Sequence, residues 1–115
     1  MKTRLEQKNR IALIVLDSTL EIAFKEYLIH DSPTYYKDSQ LASIFNQRHL
    51  VQQEMQRYIT INAAVWKKIS HYNGLRNKLI HERATAGISD AEIKDYREVV
   101  EGVLKTLYKL KFGKG

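Results

Sequence analysis

One short segment of the chain combines side chains that suit proton transfer and anion binding. Arg76, Asn77 and His81 stand within a single predicted helix, in the run RNKLIH over residues 76–81. Histidine titrates near neutral pH, so His81 can act as a general acid or base. Arginine stays charged and offers several N–H donors, so Arg76 can stabilise negative charge on a phosphate group. Asn77 can orient either group, which makes this segment the first candidate for a catalytic site.

Helical spacing turns these side chains in different directions. Asn77 and His81 are four residues apart and share one face of the helix. Arg76 points about 140° away from His81, towards the apolar side of the same helix. An arginine beside an apolar surface needs a counter-charge. Asp17 and Glu21 are isolated acidic residues in an apolar predicted first helix, and we expect one of them to pair with Arg76.

The arginine, the polar residue after it and the histidine a few positions on resemble the signature of the HEPN superfamily, a group of small α-helical domains. A long apolar helix ahead of the motif is similar to that family as well. The resemblance implies an all-α, antiparallel bundle of four to five helices. It also implies a metal-independent endoribonuclease without a cofactor, in which the ribose 2′-hydroxyl attacks the adjacent phosphate.

The same resemblance implies roles and partners. His81 would be the general acid or base, Arg76 would stabilise the phosphorane and Asn77 would position one of them. Lys78 and Arg83 are positively charged neighbours and are the predicted RNA contacts. Members of the family commonly form homodimers and often serve in toxin–antitoxin systems or antiphage defence, so an antitoxin or further domains of a parent protein are possible partners. Some toxins carry a modified tyrosine where Arg83 stands, so we do not expect that control here.

Two alternative functions do not involve catalysis. The chain can be a helical module that dimerises or binds nucleotide or RNA, with the motif retained as structure. It can also be a helical DNA-binding domain, since 19 basic against 13 acidic residues give a net charge of +6, which attracts polyanions. A zinc site built from His71 and His81 is disfavoured, because ten residues along one helix separate them by about 15 Å.

Composition narrows the class of protein. Cysteine is absent, which excludes disulfides, thiolate metal sites and a cysteine nucleophile. The longest apolar run, over residues 11–16, is too short to span a bilayer, and no signal peptide is recognised. One proline and five glycines favour long helices. We therefore expect a single cytoplasmic helical domain over residues 1–115, without membrane association and possibly a module of a larger protein.

Apolar periodicity predicts helices over about residues 3–29, 38–45, 48–59, from 60 or 62 to about 85, and 89–111, with a loop over 30–37. Residues that can cap these helices precede four of them: Thr3, Asp38 or Ser39, Thr60 or Asn62, and Ser89. Glu6 and Glu92 complete a capping-box spacing with Thr3 and Ser89. Gly74 lies inside the fourth helix and predicts a kink or a close packing contact there. Gly87 is expected to follow that helix's end.

Overall fold

The computed structural model of the chain describes residues 4–81 and 88–112, and within these ranges the regular structure is all helical. Five α-helices, α1 to α5, span Arg4–Glu26, Asp38–Phe45, Arg48–Gln56, Ala63–His81 and Asp90–Phe112. One turn of π-helix, Tyr27–Asp31, extends α1. The predicted all-α class with four to five helices is confirmed. No helix in the described ranges has the length and apolar character needed to cross a membrane.

The end of the first helix differs from the prediction. The helix was expected to stop near Ile29, but helical turns continue to Asp31 and the loop begins at Ser32. The backbone N–H of Ser32 donates to the carbonyl oxygen of Tyr27, five residues back, at 2.8 Å. This wide turn stays in place because Tyr27 and the next residue are buried. Pro33 then disfavours a helical conformation at Ser32 and ends the segment.

Two predicted caps are confirmed. The Oδ1 atom of Asn62 accepts the backbone N–H of Ala64 at 2.8 Å and caps α4. At α5, Ser89 Oγ accepts the backbone N–H of Glu92, and the Glu92 carboxylate accepts the Ser89 backbone N–H, both at 3.1 Å. Each cap satisfies donors that the first turn of a helix cannot pair by itself.

Two other local predictions turn out differently, and two lie outside the described part of the molecule. Asp38 and Ser39 do not cap α2, because both are already helical; Lys37 precedes the helix, and Gln40 Oε1 accepts its backbone N–H at 2.9 Å. The third helix ends at Gln56, short of the predicted Ile59. The Thr3–Glu6 capping box and Gly87 lie outside the described side chains and residues.

Gly74 has no close neighbour. Helix α4 continues through it, and a Cβ atom added there would meet no heavy atom within 4 Å. Of the two predicted alternatives, the close packing contact is therefore wrong, and the kink stays a prediction. The glycine leaves a small gap on the α4 surface where a methyl group would fit.

The chain divides into two compact units. The first unit comprises Met1–Ser18 and Asn62–Gly102 and therefore includes the start of α1, all of α4 and the first half of α5. Its described core is apolar and aromatic, and is formed by Leu13, Ile69, Tyr72, Ile88, Ile93, Tyr96 and Val100. Burial of this apolar surface drives the packing of the unit.

The second unit comprises Thr19–Ile61 and Val103–Gly115. Within it, α2 packs against α3. Its buried apolar residues are Leu20, Phe24, Tyr27, Leu28, Val51, Met55, Ile59, Val103 and Leu107. Helices α1 and α5 contribute to both units, and the single-domain prediction stays a prediction.

Candidate functional site

The motif arginine has the counter-charge that its position requires. Arg76 lies on α4 in the first unit, and its Nε atom is 3.6 Å from Oδ2 of Asp17. The Asp17 side chain is only 1% exposed, whereas that of Arg76 is 27% exposed. The predicted pairing of Arg76 with Asp17 is confirmed. Glu21, the other predicted partner, instead pairs with Lys25 at 3.0 Å and with Arg48 at 3.1 Å.

Neutral donors hold the Asp17 carboxylate in place. The hydroxyl of the fully buried Tyr96 donates to Asp17 Oδ1 at 2.6 Å. The Asn73 side-chain amide donates to Asp17 Oδ2 at 3.0 Å. Hydrogen bonds to a charged acceptor are stronger than neutral ones, and a buried carboxylate needs them. Three helices therefore fix the position of the negative charge that faces Arg76.

The guanidinium of Arg76 lies near the Asp17 carboxylate without a hydrogen bond to it. Its separation from Asp17 exceeds hydrogen-bond distance, and within the described part of the chain the buried Nε–H has no hydrogen-bond partner. Its Nη1 atom donates to Asn77 Oδ1 at 3.4 Å, a long hydrogen bond. Arg76 is therefore held beside its counter-charge by proximity and by one long hydrogen bond to Asn77.

The other predicted site residues are placed as follows. Asn77 and Lys78 are exposed on α4. His81 is the last residue of α4, and its side chain lies outside the described part of the molecule, as does the whole of Arg83. The structure thus brings Arg76 and Asn77 together and leaves the predicted positions of the His81 imidazole and Arg83 as predictions.

A second polar cluster joins α4 to α5 in the same unit. The Tyr72 hydroxyl donates to Asp95 Oδ2, and the Lys68 ammonium group donates to Asp95 Oδ1, both at 2.8 Å. Burial and the hydrogen bond to Asp95 raise the pKa of Tyr72 to about 12. Hydrogen bonds from Lys68 and Tyr72 lower the pKa of Asp95. Tyr72 is therefore a protonated donor at neutral pH, and the cluster fastens two helices together.

The second unit has its own polar cluster, which sequence patterns did not predict. The Tyr36 hydroxyl donates to Glu54 Oε2 at 2.6 Å and also contacts the Tyr58 hydroxyl. Arg57 Nη1 donates to the same Glu54 oxygen at 3.1 Å. Burial, followed by the hydrogen bonds to Glu54 and Tyr58, raises the pKa of Tyr36. No motif links these residues, because 18 residues separate Tyr36 from Glu54 along the chain.

Potential metal ligands do not converge in the described part of the chain. Residues 4–81 and 88–112 contain no group of three or more histidine, aspartate or glutamate side chains that could hold a metal ion. His71 is exposed and lies edge-on to the Tyr72 ring, with ring centroids 5.0 Å apart.

Comparison of the chain with protein-family models, curated proteins and solved structures finds no match. The resemblance to the HEPN signature therefore depends on residues 76–81 and on the order of the helices.

Proposed function

We propose that the chain is a metal-independent endoribonuclease of the HEPN type. The observation that carries the proposal is the placement of Arg76, which is partly buried beside Asp17 with the Asn77 amide at its guanidinium. A cation partly removed from water interacts with a phosphate more strongly than a fully solvated one does. Its fork of N–H donors suits the equatorial oxygens of a phosphorane.

The proposed reaction is transesterification within RNA. The ribose 2′-oxygen forms a bond to the adjacent phosphorus while the bond from phosphorus to the 5′-oxygen breaks. His81 takes the proton from the 2′-hydroxyl or gives one to the leaving 5′-oxygen. The products are a 2′,3′-cyclic phosphate and a 5′-hydroxyl. Arg76 stabilises the phosphorane, Asn77 positions Arg76 or His81, and Lys78 and Arg83 contact the RNA.

The proposal includes a two-fold homodimer. Helical spacing turns Arg76 and His81 about 140° apart; the length of the arginine side chain bridges part of this gap, and a cleft between two copies would bridge more of it. The first unit also leaves Ile11 and Val15 of α1 64% and 56% exposed, and a second copy would remove them from water. A role in toxin–antitoxin or antiphage systems is proposed from the resemblance alone, and a cytoplasmic location from the absence of cysteine.

The test is cleavage of labelled single-stranded RNA in excess EDTA by the parent chain and by His81→Ala. We expect 2′,3′-cyclic ends from the parent and a loss of about 100-fold or more in His81→Ala, the usual contribution of a general acid or base. His71→Ala, which removes an exposed histidine from the same helix, is the matched control and should cleave normally. Sedimentation equilibrium should give the mass of two chains.

Three results would contradict the proposal. Equal cleavage by the parent and His81→Ala would mean a contaminant or a different site. No cleavage by a folded, dimeric parent would favour a non-catalytic module that binds nucleotide or RNA. Tight, salt-dependent binding of duplex DNA without cleavage would favour the DNA-binding alternative.

A further inference from the structure

A basic groove lies in the first unit, between the start of α1 and the start of α5. Its volume is about 250 Å³, and its lining residues are Lys8, Asn9, Asp90, Ile93, Lys94 and Arg97. Asn9 is buried, and its side-chain amide donates at 2.9 Å both to the carbonyl oxygen of Ile88 and to Asp90 Oδ1. This double hydrogen bond fixes the two walls of the groove relative to each other.

The groove has an excess of positive charge. Lys8, Lys94 and Arg97 are exposed, and no described residue forms an ion pair with any of them. Among the described residues the lining contains a single carboxylate, Asp90, and Asn9 already donates to it. The neighbouring Glu92 is not among the lining residues, and its carboxylate accepts hydrogen bonds from Ser89 in the cap of α5. The groove therefore contains three cationic side chains and one described carboxylate, which already accepts a hydrogen bond.

We propose that this groove binds backbone phosphates of single-stranded RNA. Arginine binds phosphate oxygens through its planar fork, and lysine does so as a point charge, so the three side chains together suit consecutive phosphates of a flexible strand. The groove also belongs to the same unit as Arg76. Asn9 precedes Asp17, the partner of Arg76, by eight residues on α1, which is about 12 Å along the helix.

The choice of RNA as the ligand depends on the proposed ribonuclease function. A strand whose reacting phosphate lies at Arg76 can place a phosphate a few nucleotides away in the groove. The groove then serves as a substrate-binding subsite that holds the strand without taking part in the reaction. The positive charge and the fixed walls come from the structure and do not depend on catalysis.

The experiment measures RNA binding separately from cleavage. A labelled single-stranded RNA is titrated with the full chain carrying His81→Ala, in EDTA, and fluorescence anisotropy is followed over a range of salt concentrations. The test variant adds Lys94→Gln and Arg97→Gln. The control adds Lys105→Gln and Lys109→Gln, which remove the same charge from exposed positions further along the same helix. Circular dichroism checks that both variants are folded.

We expect the groove variant to bind at least about 10-fold more weakly at 0.1 M salt, with the slope of log K against log salt reduced by about 1.4 for two lost phosphate contacts. The control should change affinity by less than about 2-fold. Equal losses in the two variants would show a diffuse charge effect and would overturn the groove. Unchanged binding in the groove variant, or no RNA binding at all, would overturn it as well.

The outcome separates the two proposals. A parent chain that does not cleave RNA, with binding still lost in the groove variant, would overturn the ribonuclease and leave the groove standing. Cleavage by the parent together with unchanged binding in the groove variant would overturn the groove alone. Competition by inorganic phosphate at millimolar concentration, with no preference for RNA, would overturn RNA as the ligand.

Discussion

Asp17 in the first unit and Glu21 in the second are four residues apart in sequence, yet they hold their negative charges in different ways. Asp17 is almost completely buried and accepts hydrogen bonds from the neutral groups of Tyr96 and Asn73, while the cation Arg76 stays 3.6 Å away. Glu21 has a side chain that is 30% exposed and pairs with two cations, Lys25 and Arg48. Burial tends to raise the pKa of Glu21, but hydrogen bonds and charges from Lys25 and Arg48 outweigh it and lower the pKa.

This difference shows how the burial of a carboxylate determines which partners it requires. A buried carboxylate has no water to fall back on, so its donors must be fixed by packing, and each missing one costs about 1–3 kcal/mol. A half-exposed carboxylate keeps part of its hydration, and its ion pairs contribute only about 0–1 kcal/mol. The first unit is therefore expected to be sensitive to changes at its acidic site, and the second unit tolerant of them.

The largest expected effect is that of Asp17→Asn. The new amide keeps the shape of the side chain but loses its charge, and its N–H₂ group must face a donor from Tyr96, Asn73 or Arg76. We expect a loss of about 2–3 kcal/mol in the free energy of unfolding, measured by urea denaturation. The matched change Glu21→Gln should cost less than about 1 kcal/mol. Equal small losses in the two variants would remove the distinction between the two sites.

Asp95 is an intermediate case, because it has one neutral donor, Tyr72, and one cation, Lys68. We expect Tyr72→Phe to lower the free energy of unfolding by about 1 kcal/mol at pH 9 and Lys68→Gln to lower it by less. A larger loss for the lysine variant would mean that charge, rather than burial of the donor, dominates at this site.

The stability difference between the parent and Tyr72→Phe is expected to depend on pH. The pKa of Tyr72 is raised from 10.0 to about 12 in the folded chain, so its stabilising contribution is complete below pH 10 and is lost as pH rises towards 12. The difference in stability between the parent and Tyr72→Phe should therefore shrink across this interval. Urea denaturation at several pH values between 9 and 11.5 would measure it, and a constant difference would contradict the assignment.

The smallest expected effect is an increase in stability. Gly74→Ala adds a methyl group where no heavy atom lies within 4 Å, and it reduces the conformational entropy of the unfolded chain. We expect stability to rise by about 0.5–1 kcal/mol. Gly102→Ala is the matched comparison on α5, because a Cβ atom there also meets nothing within 4 Å. Thermal unfolding would measure both variants, and destabilisation by Gly74→Ala would reveal a contact that the geometry does not contain.

Local chemistry was predictable from the sequence wherever the partners are close along the chain. Asn62 and Ser89 cap their helices as expected, because an Ncap side chain acts on a backbone N–H two or three residues away. It was also predictable that a carboxylate of α1 pairs with Arg76, although the two are distant in sequence, since a charge beside an apolar surface must be compensated. The choice between Asp17 and Glu21 was not predictable, because Arg48 takes Glu21 through a contact that spans 27 residues.

Other features of the structure have no local sequence pattern that would predict them. Tyr27 and Leu28 continue the apolar periodicity of α1, so nothing in their spacing distinguishes a π-turn from an α-turn. Lysine has no side-chain acceptor, so Lys37 would not be chosen as the residue before α2. The basic groove requires Lys8 to meet Lys94 and Arg97, which are distant in sequence and ordinary as individual residues.

The double hydrogen bond from Asn9 to Ile88 and Asp90 also has a consequence for synthesis on the ribosome. Its two acceptors lie 79 and 81 residues further along the chain, and Tyr96 is 79 residues beyond Asp17. At about 5–20 residues per second, roughly 4–16 s pass between the synthesis of the start of α1 and that of its partner helix. Residues 19–61 of the second unit are synthesised before residues 62–102 of the first unit, which complete the core around Leu13. Until α5 has been synthesised, the start of α1 therefore lacks its partners Ile88, Asp90 and Tyr96.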